Sequence, residues 1–137
     1  MMKVLDLTKT IVHTSKRDPD YGKPGETKFT LGAIPSRIYT LLKDKATMYA
    51  DLQSNDGGKV QLRNNSLARD CVKYGLKSIE NFPVEVKFDK EHMGDKEYRV
   101  VAEETLDVFD IDLIRELHAE IEKLNEFTEE EAKNSEG

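Results

Sequence analysis

SLARDCVKYGLKSIENF, Ser66 to Phe82, is the stretch on which the reading of this chain turns. Leu67, Cys71 and Tyr74 recur at helical spacing, and Ala68, Val72 and Leu76 form a second stripe beside them. A helix apolar across so wide an arc is buried on more than one side. Asn65 or Ser66 can cap its start, and Gly75 marks a bend or C-cap near its end. Ile79 and Phe82 carry the apolar surface past that stop, and Pro83 turns Phe82 away from helical geometry. Such a hub needs apolar cover from the rest of the chain.

The cover is legible on both sides of it. Upstream, KVLDLTKTIVH (3–13) reads as one or two short strands and TKFTL (27–31) as another, with Phe29 and Leu31 on one face. The Asp-, Pro- and Gly-rich SKRDPDYGKPGE between them is an exposed turn, so the pair predicts an antiparallel ribbon. Ser36 after Pro35 is an N-cap candidate for a helix with Ile38, Leu41, Leu42, Ala46, Tyr49 and Leu52 as its apolar stripe. SNDGGK (54–59) ends that helix through glycines free to take positive φ, and Lys59–Leu62 reads as a short strand.

Downstream, Val84, Val86 and Phe88 alternate with Glu85 and Lys87 as a strand. DKEHMGDKE then forms a long mobile tip before a partner strand over Tyr98–Ala102. A third helix starts at Asp110, its N-cap, with Ile111, Ile114, Leu117, Ile121 and Leu124 in register and Asp112 in the first turn. Thr128 and Glu131 fit a capping box for a last short helix without an apolar face, which should fray or order only against a partner. The expected architecture is an α+β fold, an antiparallel β-ribbon or small sheet packed by about three helices. Residues 1–127 form one domain, and 128–137 an acidic, mobile tail.

Composition narrows the function classes. The chain of 137 residues is 35% charged and 37% hydrophobic, which implies a thin core and much solvated surface. Residues 1–102 hold 18 Lys/Arg against 14 Asp/Glu, a net +4, whereas 103–137 hold 3 against 13, a net −10. That acidic third repels phosphate and anionic lipid, so neither nucleic acid nor a membrane is the expected partner, and a basic protein surface suits it. A single cysteine, Cys71, excludes an intramolecular disulfide and a zinc cluster, and a reducing cytosol is the simplest home. No run reaches the roughly 20 apolar residues of a membrane span or the length of a signal peptide.

No constellation announces a reaction. Asp18-Pro-Asp20-Tyr-Gly22 opens like a calcium loop, but Lys23 stands where the turn glycine belongs and Lys28 near the closing glutamate. His13, His92 and His118 lack metal-ligand spacing, and His118 reads as a boundary residue beside the third helix's stripe. Cys71 lies on a core stripe with no local group to lower its pKa. SNDGGK lacks the spacing of a phosphate loop. The carboxylates of 103–131 sit on a solvated face rather than in a pocket that would perturb them. The expectation is a protein without catalytic residues, cofactor or metal.

Three phrases carry a family likeness: TLGAIPSRIYTLLKD at a strand-to-helix turn, GLKSIENF at a helix exit, and IEKLNEFTEEEAKNS at the end of the chain. In this order they resemble small structural-module proteins of tailed bacteriophages, with the tail assembly chaperone group as the functional class nearest in kind. Ile79 departs from the aromatic often found in the helix-exit phrase. The resemblance implies a non-enzymatic tail assembly chaperone, or a tail- or neck-associated virion protein, that binds a tape-measure, tail-tube or other virion protein in the host-cell cytoplasm during assembly. Self-association into a homo-oligomer is compatible with it. By the same implication Ile114, Leu117, Ile121, Leu124 and Phe127 belong to a partner-facing or closing helix. Glu129, Glu130 and Glu131 extend its acidic rim. The alternative is a small phage or host regulatory protein of anti-defence type that meets a host factor through the acidic third.

Overall fold

The computed structural model describes residues 1–53 and 58–126. Its elements are β1 (Thr10–His13), β2 (Lys28–Gly32), α1 (Ser36–Gln53), α2 (Lys59–Gly75), β3 (Leu76–Glu80), β4 (Phe88–Met93), β5 (Lys96–Val101), the one-turn α3 (Glu103–Leu106) and α4 (Ile111–Asn125). The fold is α+β: β1, β2 and β3 form one antiparallel sheet in that order, and β4 and β5 form a separate hairpin.

The expected ribbon is present. Ile11 pairs with Leu31 and His13 with Phe29, so β2 turns both Phe29 and Leu31 into the core. The intervening loop is held by its own polar groups, since Asp18 accepts hydrogen bonds from the Asp20 and Thr27 amides. Its carboxylate is thereby occupied as an ordinary turn former.

The hub helix is longer than its stripes foretold. α2 begins at Lys59, so the short strand expected over Lys59–Leu62 is its first turn, and Asn65 and Ser66 lie inside it rather than at its cap. Gly58 occupies the cap with φ −81°, not a positive angle, and Ser54–Gly57 lie outside the described residues. At the other end the chain passes from Gly75 directly into β3, whose Phe29↔Ile79 and Lys28↔Glu80 pairings make it the third strand. Beyond it Phe82 anchors an aromatic cluster, with its ring edge-on to Phe29 at 6.4 Å and to Phe109 at 5.5 Å.

The second hairpin corrects the strand expected over Val84–Phe88. The pairing starts at Phe88 and runs through DKEHM, the stretch read as a mobile tip. A two-residue turn at Gly94-Asp95 closes it, with Gly94 at φ +64°, which a residue without a Cβ adopts freely.

One core joins the layers. Leu31, Ile34, Ile38, Leu42, Val72, Leu76, Val101, Leu106, Leu117 and Ile121 are fully or almost fully buried. α1 buries Ile38, Leu42, Ala46 and Ala50, and the small side chains of the last two let it lie close along α2. α4 seals the other side. Asp110 caps it by accepting from the Leu113 amide at 2.7 Å, as its sequence position predicts. Asn125 closes its far end, accepting from the Ile34 N–H at 2.9 Å and donating to the Ile34 carbonyl at 2.6 Å.

Candidate functional site

The helix expected to face a partner or to close the fold is mostly spent on the core. Ile114, Leu117 and Ile121 are buried against α2 and β2, so they are unavailable to a partner in this fold, and Leu124 is half-buried beside them. Burial wins because α2 is apolar on two sides and α4 is the element that covers the second. Ile111, counted in the same stripe, points outward at 62% exposure. Phe127, Glu129, Glu130 and Glu131 lie outside the described residues.

The acidic rim of α4 is also engaged internally. Arg17 makes a bidentate pair with Asp110, and His13 Nε2 lies 2.7 Å from Glu116 Oε2 while the buried Ser15 hydroxyl donates to Glu116 Oε1. Ser15 and His13 therefore meet the same carboxylate rather than each other, a brace between the β1–β2 loop and α4 and not a nucleophile with its base. Arg69 reaches Glu103 at 2.6 Å and Asp107 at 2.8 Å, and Lys73 bridges Glu91 and Glu103. Among the described residues, Glu103, Asp107, Asp110 and Glu116 of the acidic third thus meet Arg, Lys or His side chains from the first 102 residues.

The other candidates for chemistry settle as core or surface. Burial pushes the Cys71 thiol up to about 12, which suppresses thiolate at neutral pH. His92 is exposed and contacts Glu97 across the hairpin. Among the described residues no three His, Cys, Asp or Glu side chains gather in a way that could hold a metal ion. No helix among them is long and apolar enough to cross a membrane.

Two surface features remain. The first is the outer row of α1, where Leu41, Met48 and Leu52 lie at i, i+7 and i+11 with Tyr49 beside them. They are 43%, 64%, 77% and 46% exposed, and Val60 at the start of α2 adds another open apolar side chain. Leu41, Tyr49 and Leu52 were expected in the apolar stripe facing the core, but that role falls to Ile38, Leu42, Ala46 and Ala50. A strict four-residue step among the buried positions selects one edge of a stripe broad enough for either.

The second is a cleft of about 640 Å³ between α1, α2 and α4. Lys43 enters it from α1, Arg63 from α2, and Arg115 and His118 from α4; Gln61, Asn64, Asn65 and Thr47 supply uncharged polar groups. Among the described residues none of Lys43, Arg63 and Arg115 has a carboxylate within ion-pair distance. Instead Arg115 and Gln61 both donate to Asn65 Oδ1 at 3.1 Å, and Lys43 sits 4.4 Å from the centre of the Tyr39 ring. Glu122 closes one end, where it accepts from the Tyr39 hydroxyl.

His118 is mostly buried at the cleft wall, with Nε2 3.1 Å from Glu122 Oε1 but outside hydrogen-bonding direction, so the nitrogen has no hydrogen-bond partner among the described residues. Burial lowers its pKa from the ordinary histidine value, and Glu122 opposes that shift. The sequence places His118 correctly as a boundary residue. It does not gather these cations, because Lys43, Arg63 and Arg115 come from three helices, and Arg63 falls between the strand expected over Lys59–Leu62 and the helix cap expected at Asn65 or Ser66. Neither a protein-family model, nor a characterised protein, nor a solved structure matches the chain.

Proposed function

We propose that this protein is a non-enzymatic binding protein in the assembly of tailed-phage particles, acting as a tail assembly chaperone or a tail-associated virion protein. The setting rests on the resemblance of its three sequence phrases. The binding role rests on one observation, the open apolar row Leu41, Met48, Tyr49 and Leu52 along α1. Met48, Tyr49 and Leu52 cluster at its far end, with Leu41 about two turns away beyond Asp44 and Lys45, and an exposed apolar cluster on a folded surface is characteristic of a protein-interaction site. Its spacing suits an amphipathic helix of the partner, laid along α1 as in helix-in-groove recognition. A tape-measure protein, built largely of long helix, is the partner class that fits.

The placement differs from the one the sequence suggests. α4 holds the fold and α1 binds. A regulatory role for the acidic third has less support, because Glu103, Asp107, Asp110, Glu116, Glu120 and Glu122 already meet basic or hydroxyl groups of this chain.

Co-expression with tape-measure and tail-tube proteins, followed by size-exclusion chromatography, tests both parts. The expected result is co-elution that is lost on Met48→Glu/Leu52→Glu, a double change at exposed positions that leaves the far-ultraviolet circular dichroism unaltered. Failure of the wild-type chain to co-elute with either protein overturns the assembly role. Undiminished co-elution of the variant overturns the placement on α1.

A further inference from the structure

We propose that the cleft between α1, α2 and α4 binds a small phosphate-bearing ligand with hydroxyl groups. In a chain of net charge −6, whose other basic side chains include many already paired with carboxylates, three cations converge on one concavity without a carboxylate partner among the described residues. Like charges gathered around one concavity repel one another, and an anion relieves that cost. The arrangement is also partly organised in advance. Asn65 Oδ1 orients Arg115 while occupying one of its five N–H donors, which leaves the rest of the guanidinium fork for phosphate oxygens. Lys43 supplies a compact point charge from the facing wall.

The uncharged lining sets the remainder of the ligand. Gln61, Asn64, Asn65 and Thr47 offer amide and hydroxyl groups that can both donate to and accept from a polyol. Among the described residues no Phe, Tyr or Trp side chain lines the cleft, so a nucleobase lacks the broad stacking platform it favours. Glu122 at one end repels phosphate and suits a hydroxyl donor, which orients the ligand with its phosphate toward Arg63 and Arg115. His118 Nε2, buried without a hydrogen-bond partner among the described residues, lies on the same wall. About 640 Å³ is ample for a sugar phosphate. The inference stands apart from the assembly role, since the cleft uses none of the exposed apolar row of α1.

The test is a titration of the full chain with ribose 5-phosphate, inorganic phosphate, sulfate and ribose, followed by ¹⁵N-resolved NMR of the backbone and arginine side chains and by calorimetry. Ribose 5-phosphate is expected to perturb Arg63, Arg115, Asn65 and His118 and to bind more tightly than phosphate, with ribose alone silent. Arg63→Gln/Arg115→Gln, at exposed positions that should not disturb folding, is expected to weaken binding by at least about tenfold, the scale of one lost charge-assisted hydrogen bond. Lys96→Gln, at the start of β5 and outside the cleft lining, serves as the control. Absence of binding by any phosphate overturns the inference. So does equal binding of sulfate and ribose 5-phosphate, or equal weakening by the control, because either marks diffuse attraction of anions rather than a site.

Discussion

Replacing Gly75 by alanine tests the packing on which α4 depends. A Cβ at position 75 would lie 2.6 Å from Ile121 Cδ1, 3.0 Å from Cγ1 and 3.1 Å from Cγ2. Ile121 is fully buried and β-branched, so its side chain has neither empty space nor an easy rotamer to move into. Alanine gains up to about 1 kcal/mol of helix propensity over glycine in a helix interior, and less at the last helical residue. Overpacking a core costs about 1–3 kcal/mol. The clash therefore wins, and Gly75→Ala should destabilise the fold by about 1–2 kcal/mol. Urea denaturation followed by circular dichroism should show a lower midpoint with an unchanged slope.

The cause is isolated by a second background. Ile121→Val removes Cδ1, the nearest atom, and should itself cost about 0.5–1.5 kcal/mol. In that background Gly75→Ala should cost about 1 kcal/mol less than it does in the wild type, as expected for side chains in contact. Equal costs in both backgrounds, or a Gly75→Ala protein as stable as wild type, would refute the claim that close approach to Ile121 demands glycine here.

Three further outcomes follow from the same geometry. Asn125→Leu should lower stability by about 1–3 kcal/mol, because it leaves the N–H and C=O of the buried Ile34 without their partner, and thermal unfolding should record the loss. The Asp110 carboxyl is held below the usual range, first by Arg17 and then by the Leu113 amide. A depressed native pKa gives stability that is present above the unfolded value and lost as pH falls through the native one, so Asp110→Asn should flatten the acid limb of the stability–pH curve below about pH 4. Cys71, buried with its thiol pushed up, should resist a thiol reagent at pH 8 and react at the rate of global opening, so labelling that stays fast under strongly native conditions would contradict its burial.

Much of the fold was legible because it is written in local patterns. The Asp110 cap, the register of α4 and the burial of Cys71 and Val72 each follow from residues a few positions apart, and the β1–β2 ribbon joins two such local strand patterns across one turn-rich loop. The α+β class and the hub character of Ser66–Phe82 follow from the same periodicities. β4 was misplaced because FDKEHM carries no strand pattern of its own. Its extended form comes from pairing with Lys96–Val101 around a two-residue turn. The start of α2 was misplaced because Gln61, Arg63 and Asn64 face outward and lend the first turns no apolar stripe.

The candidate sites show the same division more sharply. Periodicity alone determined that α1 and α4 are amphipathic, and the distribution of charge along the chain that the acidic residues concentrate after position 102. It could not decide which apolar residues meet the core, because a stripe broad enough to serve two neighbours is satisfied by whichever neighbour the chain brings close. Tertiary structure chose Ile114, Leu117 and Ile121 for the interior and left Leu41, Met48, Tyr49 and Leu52 outside. It also paired the acidic third with Arg17, Arg69, Lys73 and His13, and set Lys43, Arg63 and Arg115 around one cleft. Convergence of groups so far apart along the chain depends on helix packing, which no short-range pattern encodes.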